Sequence, residues 1–102
     1  MSDKDYVYTL TPFGHESISV AGTATGFTAA TRINSRNEAA TRALVTVETA
    51  QIRYRVDGTD PTSSEGHLLY VGDILILTGD EIRTFSAIRV SSSATIKCTY
   101  YN

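Results

Sequence analysis

Between Gln51 and Thr78 the chain reads QIRYRVDGTDPTSSEGHLLYVGDILILT, and apolar and polar positions there follow the period of strands. Ile52, Tyr54 and Val56 alternate with Gln51, Arg53 and Arg55, so one face is dry and one is wet. Asp57-Gly58 is a strong hairpin signal, and Asp60-Pro61 with Thr62, Ser63 and Ser64 extends it into a polar loop closed by Gly66. Leu68 to Val71 and Ile74 to Leu77 flank a second short turn at Gly72-Asp73. The unbroken apolar run of Ile74 to Leu77 predicts the most central strand of the fold.

The rest of the chain carries the same period. Tyr6 to Thr11 is β-branched and aromatic and is expected to end at Pro12, with a turn at Phe13-Gly14-His15 and a short strand over Ser17 to Val20. Gly22 to Ile33 is small, Thr-rich and glycine-punctuated, the composition of an edge strand or an extended arm. Ser35 and Glu38 stand in capping-box spacing, which predicts either one turn of helix or a structured loop. Ala43 to Thr49 alternates, with Val45 and Val47 on one face, and a bend near Ala50 leads into the Gln51 strand. Ile82 and Phe85 have the spacing of one helical turn laid over the mouth of the core. Ala87 to Ser91 and Ala94 to Tyr101 form a last pair, in which Ala94, Ile96, Cys98 and Tyr100 face inward. The whole predicts an all-β fold of about eight short strands, an antiparallel β-sandwich (jelly-roll or immunoglobulin-like) or a small barrel. It forms a single domain over residues 1–102, within which 1–42 is expected to include an extended arm or edge-strand region.

Composition narrows the function classes. Apolar residues make up 41% and charged residues 20% of 102 positions, which suits one folded domain with a modest core. The net charge of −2 and the scattered arginines give no basic field for nucleic acid. No apolar run reaches the length of a spanning helix, and MSDKDYVYTL does not have the form of a signal peptide, so no membrane partner is expected. The single cysteine, Cys98, shares a strand face with Ile96 and Tyr100 and reads as a buried thiol.

No arrangement of residues predicts a reaction. His15 and His67 lie far apart and read as loop or strand-edge residues. Asp57, Asp60 and Glu65, with Thr62, Ser63 and Ser64, supply oxygens of the kind calcium takes, but turn geometry asks for the same residues, and no metal or other cofactor is expected. Six tyrosines (Tyr6, Tyr8, Tyr54, Tyr70, Tyr100 and Tyr101) offer rings on which sugars stack. Tyr6, Tyr8, Phe27, Tyr70 and Tyr101 are the candidate interface residues.

The ordered set Arg53, Tyr54, Asp57, Gly58, Thr59, Pro61, Thr62, Gly66, His67, Leu69, Gly72, Phe85, Ala87 and Ile88 resembles a pattern shared by small virion proteins of tailed bacteriophages and prophages. That pattern joins an R-Y-x-x-D-G-T-x-P-T hairpin to a G-H-x-L stretch, a G-(D/E)-x-L strand, an F-x-A-I segment and an aromatic-rich terminal strand. The likeness runs from about Ala43 to Asn102. It implies a non-enzymatic structural protein of the particle, of the capsid-decoration (cement) type or a tail or fibre accessory. Such a protein would assemble in the host cytoplasm as a homo-oligomer and bind the major capsid protein or another virion protein in many symmetric copies. A shorter likeness, confined to the Y-x-x-D-G-x-x-P-T hairpin, is to sandwich domains appended to chitin-degrading enzymes, and it implies a carbohydrate-binding module as the alternative.

Overall fold

A computed structural model describes residues 10–102. Among the described residues seven strands and one helical turn succeed one another: β1 (Pro12–Val20), β2 (Arg42–Glu48), β3 (Ile52–Arg55), β4 (His67–Leu69), β5 (Ile74–Thr78), α1 (Asp80–Thr84), β6 (Ser86–Arg89) and β7 (Ala94–Tyr101). They form two separate antiparallel sheets, β1-β7-β2-β5 and β4-β3-β6. The fold is therefore all-β, and the strands do not close into a barrel among the described residues.

One core joins the sheets. Ala43, Val45 and Val47 of β2 and Ala94, Ile96, Cys98 and Tyr100 of β7 are buried, as their alternation requires, and they cluster with Ile52 and Ala87 of the other sheet. Ile82 and Phe85, from α1 and the residue after it, close that core at one end, as their spacing predicts. Aromatic rings carry the contact from sheet to sheet. Phe27 lies face to face with Phe85 at 4.4 Å and edge-on to Tyr100 at 5.5 Å, and Phe85 also stacks on Tyr54 at 5.8 Å. Offset and edge arrangements of this kind add about 0.5–1.5 kcal/mol per pair beyond the area they bury.

Three sequence expectations are corrected. Pro12 does not end a strand but begins β1, and the turn expected at Phe13-Gly14-His15 lies within it. Proline is tolerated there because it is the first residue of an edge strand, and a bulge between Pro12 and Gly14 absorbs the mismatch. Gly14 is needed at that bulge, since a Cβ would stand 3.0 Å from the Thr31 carbonyl oxygen. The Gly22 to Ile33 segment makes no strand of its own. It folds back over the domain, tied by a reciprocal pair of backbone bonds between Thr25 and Ala87 (2.9 and 2.8 Å). Finally, among the described residues β5 is not the central strand but an edge of the larger sheet; β7 and β2 occupy the centre. Its unbroken apolar run arises because Leu77 is buried and Leu75 packs on the core, while Ile74 and Ile76 point outward with 66% and 50% of their surface exposed.

The Ser35 to Arg42 stretch takes the loop alternative. Asn34 rather than Ser35 organises it, its Oδ1 accepting from the backbone N–H groups of Arg36 (3.0 Å) and Glu38 (2.9 Å). A side chain that bonds the backbone two and four residues on competes directly with a helix nucleus. The strand predicted over Tyr6 to Thr11 falls largely outside the described residues.

Candidate functional site

The motif loop between β3 and β4 holds most of the polar chemistry of the chain. Arg53 projects from β3 and binds two carbonyls of the loop, those of Ser63 (Nε, 3.1 Å) and Gly66 (Nη1, 2.9 Å). Arg55, on the same face, grips Asp57 with two guanidinium nitrogens, Nε at 3.1 Å from Oδ1. Asp57 also accepts from the Thr59 backbone N–H at 3.3 Å. These bonds hold the Asp57 carboxyl down at about 2, with the Arg55 hydrogen bond as the largest cause. Thr62 and Glu65 exchange backbone bonds across the loop end (2.9 and 3.3 Å), and Asp60 accepts from the Ser86 hydroxyl at 3.1 Å. Pro61 is buried beneath the loop. Gly66 has φ 137°, and a Cβ there would press on the Tyr54 carbonyl oxygen and the Pro61 and Arg53 Cβ atoms at 3.1–3.3 Å.

Arg53 and Asp57 thus have partners in the loop or on the adjoining β3, and Asp60 reaches across to Ser86 of β6. Of the three candidate calcium carboxylates, Asp57 is engaged by Arg55 and Asp60 by Ser86. No group of three or more metal-ligating side chains comes together among the described residues. A shallow cleft of about 300 Å³ lies beside Arg55, Asp57, Glu65 and His67. His67 begins β4 at the edge of its sheet, its ring tilted against Tyr54 at 5.3 Å, and His15 lies on edge strand β1, bonded through Nδ1 to the Thr99 hydroxyl at 3.1 Å. The two histidines stand on different sheets, as strand-edge residues.

Inside the core, Tyr100 donates its phenol O–H to Glu16 Oε2, and the same oxygen accepts from the Thr28 backbone N–H at 3.2 Å. Burial, then the Glu16 carboxylate, pushes the Tyr100 phenol far above its ordinary range. Burial likewise pushes the Cys98 thiol up to about 11, so it stays protonated and unreactive at neutral pH.

A different surface lies on the outer face of the larger sheet. Register places Ile76 beside Leu44 and Ile74 beside Thr46, while Arg42 sits between Thr78 and Tyr101. Leu10, Arg42, Leu44, Ile76 and Tyr101 line an open groove of about 350 Å³. Further along the same face, Lys97 donates to Ser17 at 2.8 Å. The groove is therefore apolar towards β5 and polar towards β1.

Among the described residues, the candidate interface residues Phe27, Tyr70 and Tyr101 do not form one row. Tyr101 is half-buried in the groove, Tyr70 is 57% exposed in the turn before β5, and Phe27 is packed into the aromatic seam. Tyr6 and Tyr8 lie outside the described residues. Sequence reasoning missed Leu44, Ile74 and Ile76 as surface residues; the signal available was an apolar strand with no charged residue, which reads equally as a centre or an unguarded edge. No protein-family model matches the chain, and no curated protein or solved structure matches it either.

Proposed function

We propose that the chain is a non-enzymatic structural protein of a virus particle, of the capsid-decoration type, acting by binding in many copies to a protein shell. The observation that carries this reading is the exposed apolar strand: Ile74 and Ile76 of β5, with Leu44 beside them. Contiguous exposed apolar surface on a small domain marks a contact to be made. Many such contacts, each weak, hold a protein on a symmetric shell through valency.

The finer fold reading is a β-sandwich, because both sheets bury side chains in one core. The four-plus-three count is that of an immunoglobulin-like domain, but β7 stands between β1 and β2, which departs from that strand order. The carbohydrate-binding alternative draws on exposed aromatic rings. Tyr70 is available to it, whereas Tyr54 and Tyr100 are turned into the core seam.

The test is to purify particles by density gradient from cells producing the chain and the virus, and to count its copies by quantitative mass spectrometry. The reading expects a copy number comparable with that of the shell subunit. Finding the chain only in the soluble fraction, with particles complete without it, overturns it.

A further inference from the structure

Among the described residues, no strand pairs with the outer edge of β5. Backbone bonds from Gly79 N–H to the Thr41 carbonyl (3.1 Å) and between Val47 and the Gly72-Asp73 turn (2.8 and 3.3 Å) bracket its pairing with β2. Because an antiparallel ladder alternates, Leu75 and Leu77 spend their N–H and C=O groups on β2, while those of Ile74 and Ile76 point the other way. Among the described residues, no backbone group outside the β2 ladder reaches Ile74 or Ile76. The next outward N–H, that of Thr78, is taken by Glu81 Oε1 at 3.0 Å, so the open stretch stops there. The strand has no charge, proline or bulge of the sort that blunts an edge.

The chain outside the described fold supplies a candidate strand. Residues 1–9 precede Leu10, and the part next to the fold, Tyr6 to Thr9, alternates aromatic or β-branched side chains without charge. Leu10 lines the same groove as Leu44 and Ile76, at its β1 side, and Thr11 is fixed at the end of β7 by two backbone bonds with Asn102 (3.0 and 3.1 Å). From the β1 position of Thr11 to a new strand beyond β5 is four strand spacings, about 19 Å, or about six extended residues. Within one molecule, Tyr6 to Leu10 would be used up in crossing the sheet, leaving only the charged Ser2 to Asp5 to pair with β5. A second copy has no such limit.

We infer that Tyr6–Thr9 of one copy adds as a strand along Ile74–Ile76 of a second copy, with Tyr6 and Tyr8 on the outer face beside the two isoleucines. This is β-augmentation between identical chains: main-chain bonds give affinity and the alternate side chains fill the apolar face. Donor and acceptor surfaces differ, so the contact is heterologous and propagates from copy to copy, closing into a ring or running along a lattice. The inference rests on the assembly reading above and adds where copies meet.

The test uses full-length chains. A Tyr8→Cys chain is mixed with an affinity-tagged Ile76→Cys chain of different mass and treated with a short bismaleimide; the native Cys98 is fully buried. The expected result is a mixed dimer at least about fivefold more abundant than either homodimer, suppressed by excess unlabelled wild-type chain. Three results overturn the inference. Ile76→Cys homodimers alone mean that two β5 edges pair with each other. Closure within a Tyr8→Cys/Ile76→Cys double variant, without mixed dimers, means that the segment covers its own sheet. No cross-link of either kind means that the edge takes a partner of other chemistry. The particle copy number is measured separately, so a failed cross-link and a failed assembly reading are told apart.

Discussion

At one side of the larger sheet β1 begins with Pro12, bulges at Gly14 and presents His15, Ser17 and Ser19 to solvent; at the other, β5 is ILILT with two exposed isoleucines. Both are edges of the same sheet and pack on the same core. β1 carries the devices that keep an edge from pairing, namely proline, a bulge and short polar side chains, and β5 carries none of them. Glu16 of β1 also turns inward to serve the fold, accepting from Tyr100 and Thr28. Among the described residues one edge is guarded and the other is not, and on the proposed assembly reading the unguarded one is where copies would meet.

The sharpest way to test the structural role of the guarded edge is Glu16→Ala. It removes the carboxylate acceptor of the buried Tyr100 hydroxyl, leaving only the weak Cys98 sulfur, and a poorly satisfied buried group costs about 1–3 kcal/mol. We expect a loss of about 2 kcal/mol in urea unfolding with assembly surface intact; a neutral result would mean that β1 contributes no more than β5 to holding the core.

A smaller effect belongs to a region away from both edges. Asp57 is half-exposed and its folded pKa, about 2, lies below its ordinary value of 3.8. Its contribution is fully present above about pH 4 and is lost as pH falls through about 2. Asp57→Asn should therefore flatten the acid limb of a thermal-stability profile in that window, and added salt should weaken the wild-type effect. Equal acid limbs in the two chains would remove the Arg55–Asp57 pair from the account of the loop.

The smallest expected change in stability comes from the bare edge. Ile74→Lys and Ile76→Lys replace exposed side chains, so each should alter unfolding free energy by no more than about 0.5 kcal/mol. Placing charge on the edge should nevertheless abolish self-association in light scattering. Loss of stability with association retained would invert the comparison of the two edges.

Alternation made much of this legible from the amino-acid order alone. β2 and β7 bury Val45, Val47, Ile96 and Cys98 as their period requires, and Ile82 and Phe85 close the core as their spacing suggests. The motif loop was legible as turn chemistry, and its bonds bear that out at Asp57 and Gly66. Strand order was not legible. A run of four apolar residues has the same local signature whether a second strand or solvent lies beyond it, so β5 read as the centre. Pro12 misled because its missing N–H is harmful inside a sheet and harmless at the start of an edge. Phe27 sat in a stretch with weak period, and the Thr25–Ala87 bridge and the Thr28 bond to Glu16 hold its ring between Phe85 and Tyr100.

Amide hydrogen exchange on the full-length chain at about 1 μM and about 100 μM, resolved to single residues, reads both edges in one experiment. Protection of the Ile74 and Ile76 amides is expected to rise with protein concentration while that of β1 does not change. Concentration-independent exchange at Ile74 and Ile76, or protection gained at β1 instead, would contradict it.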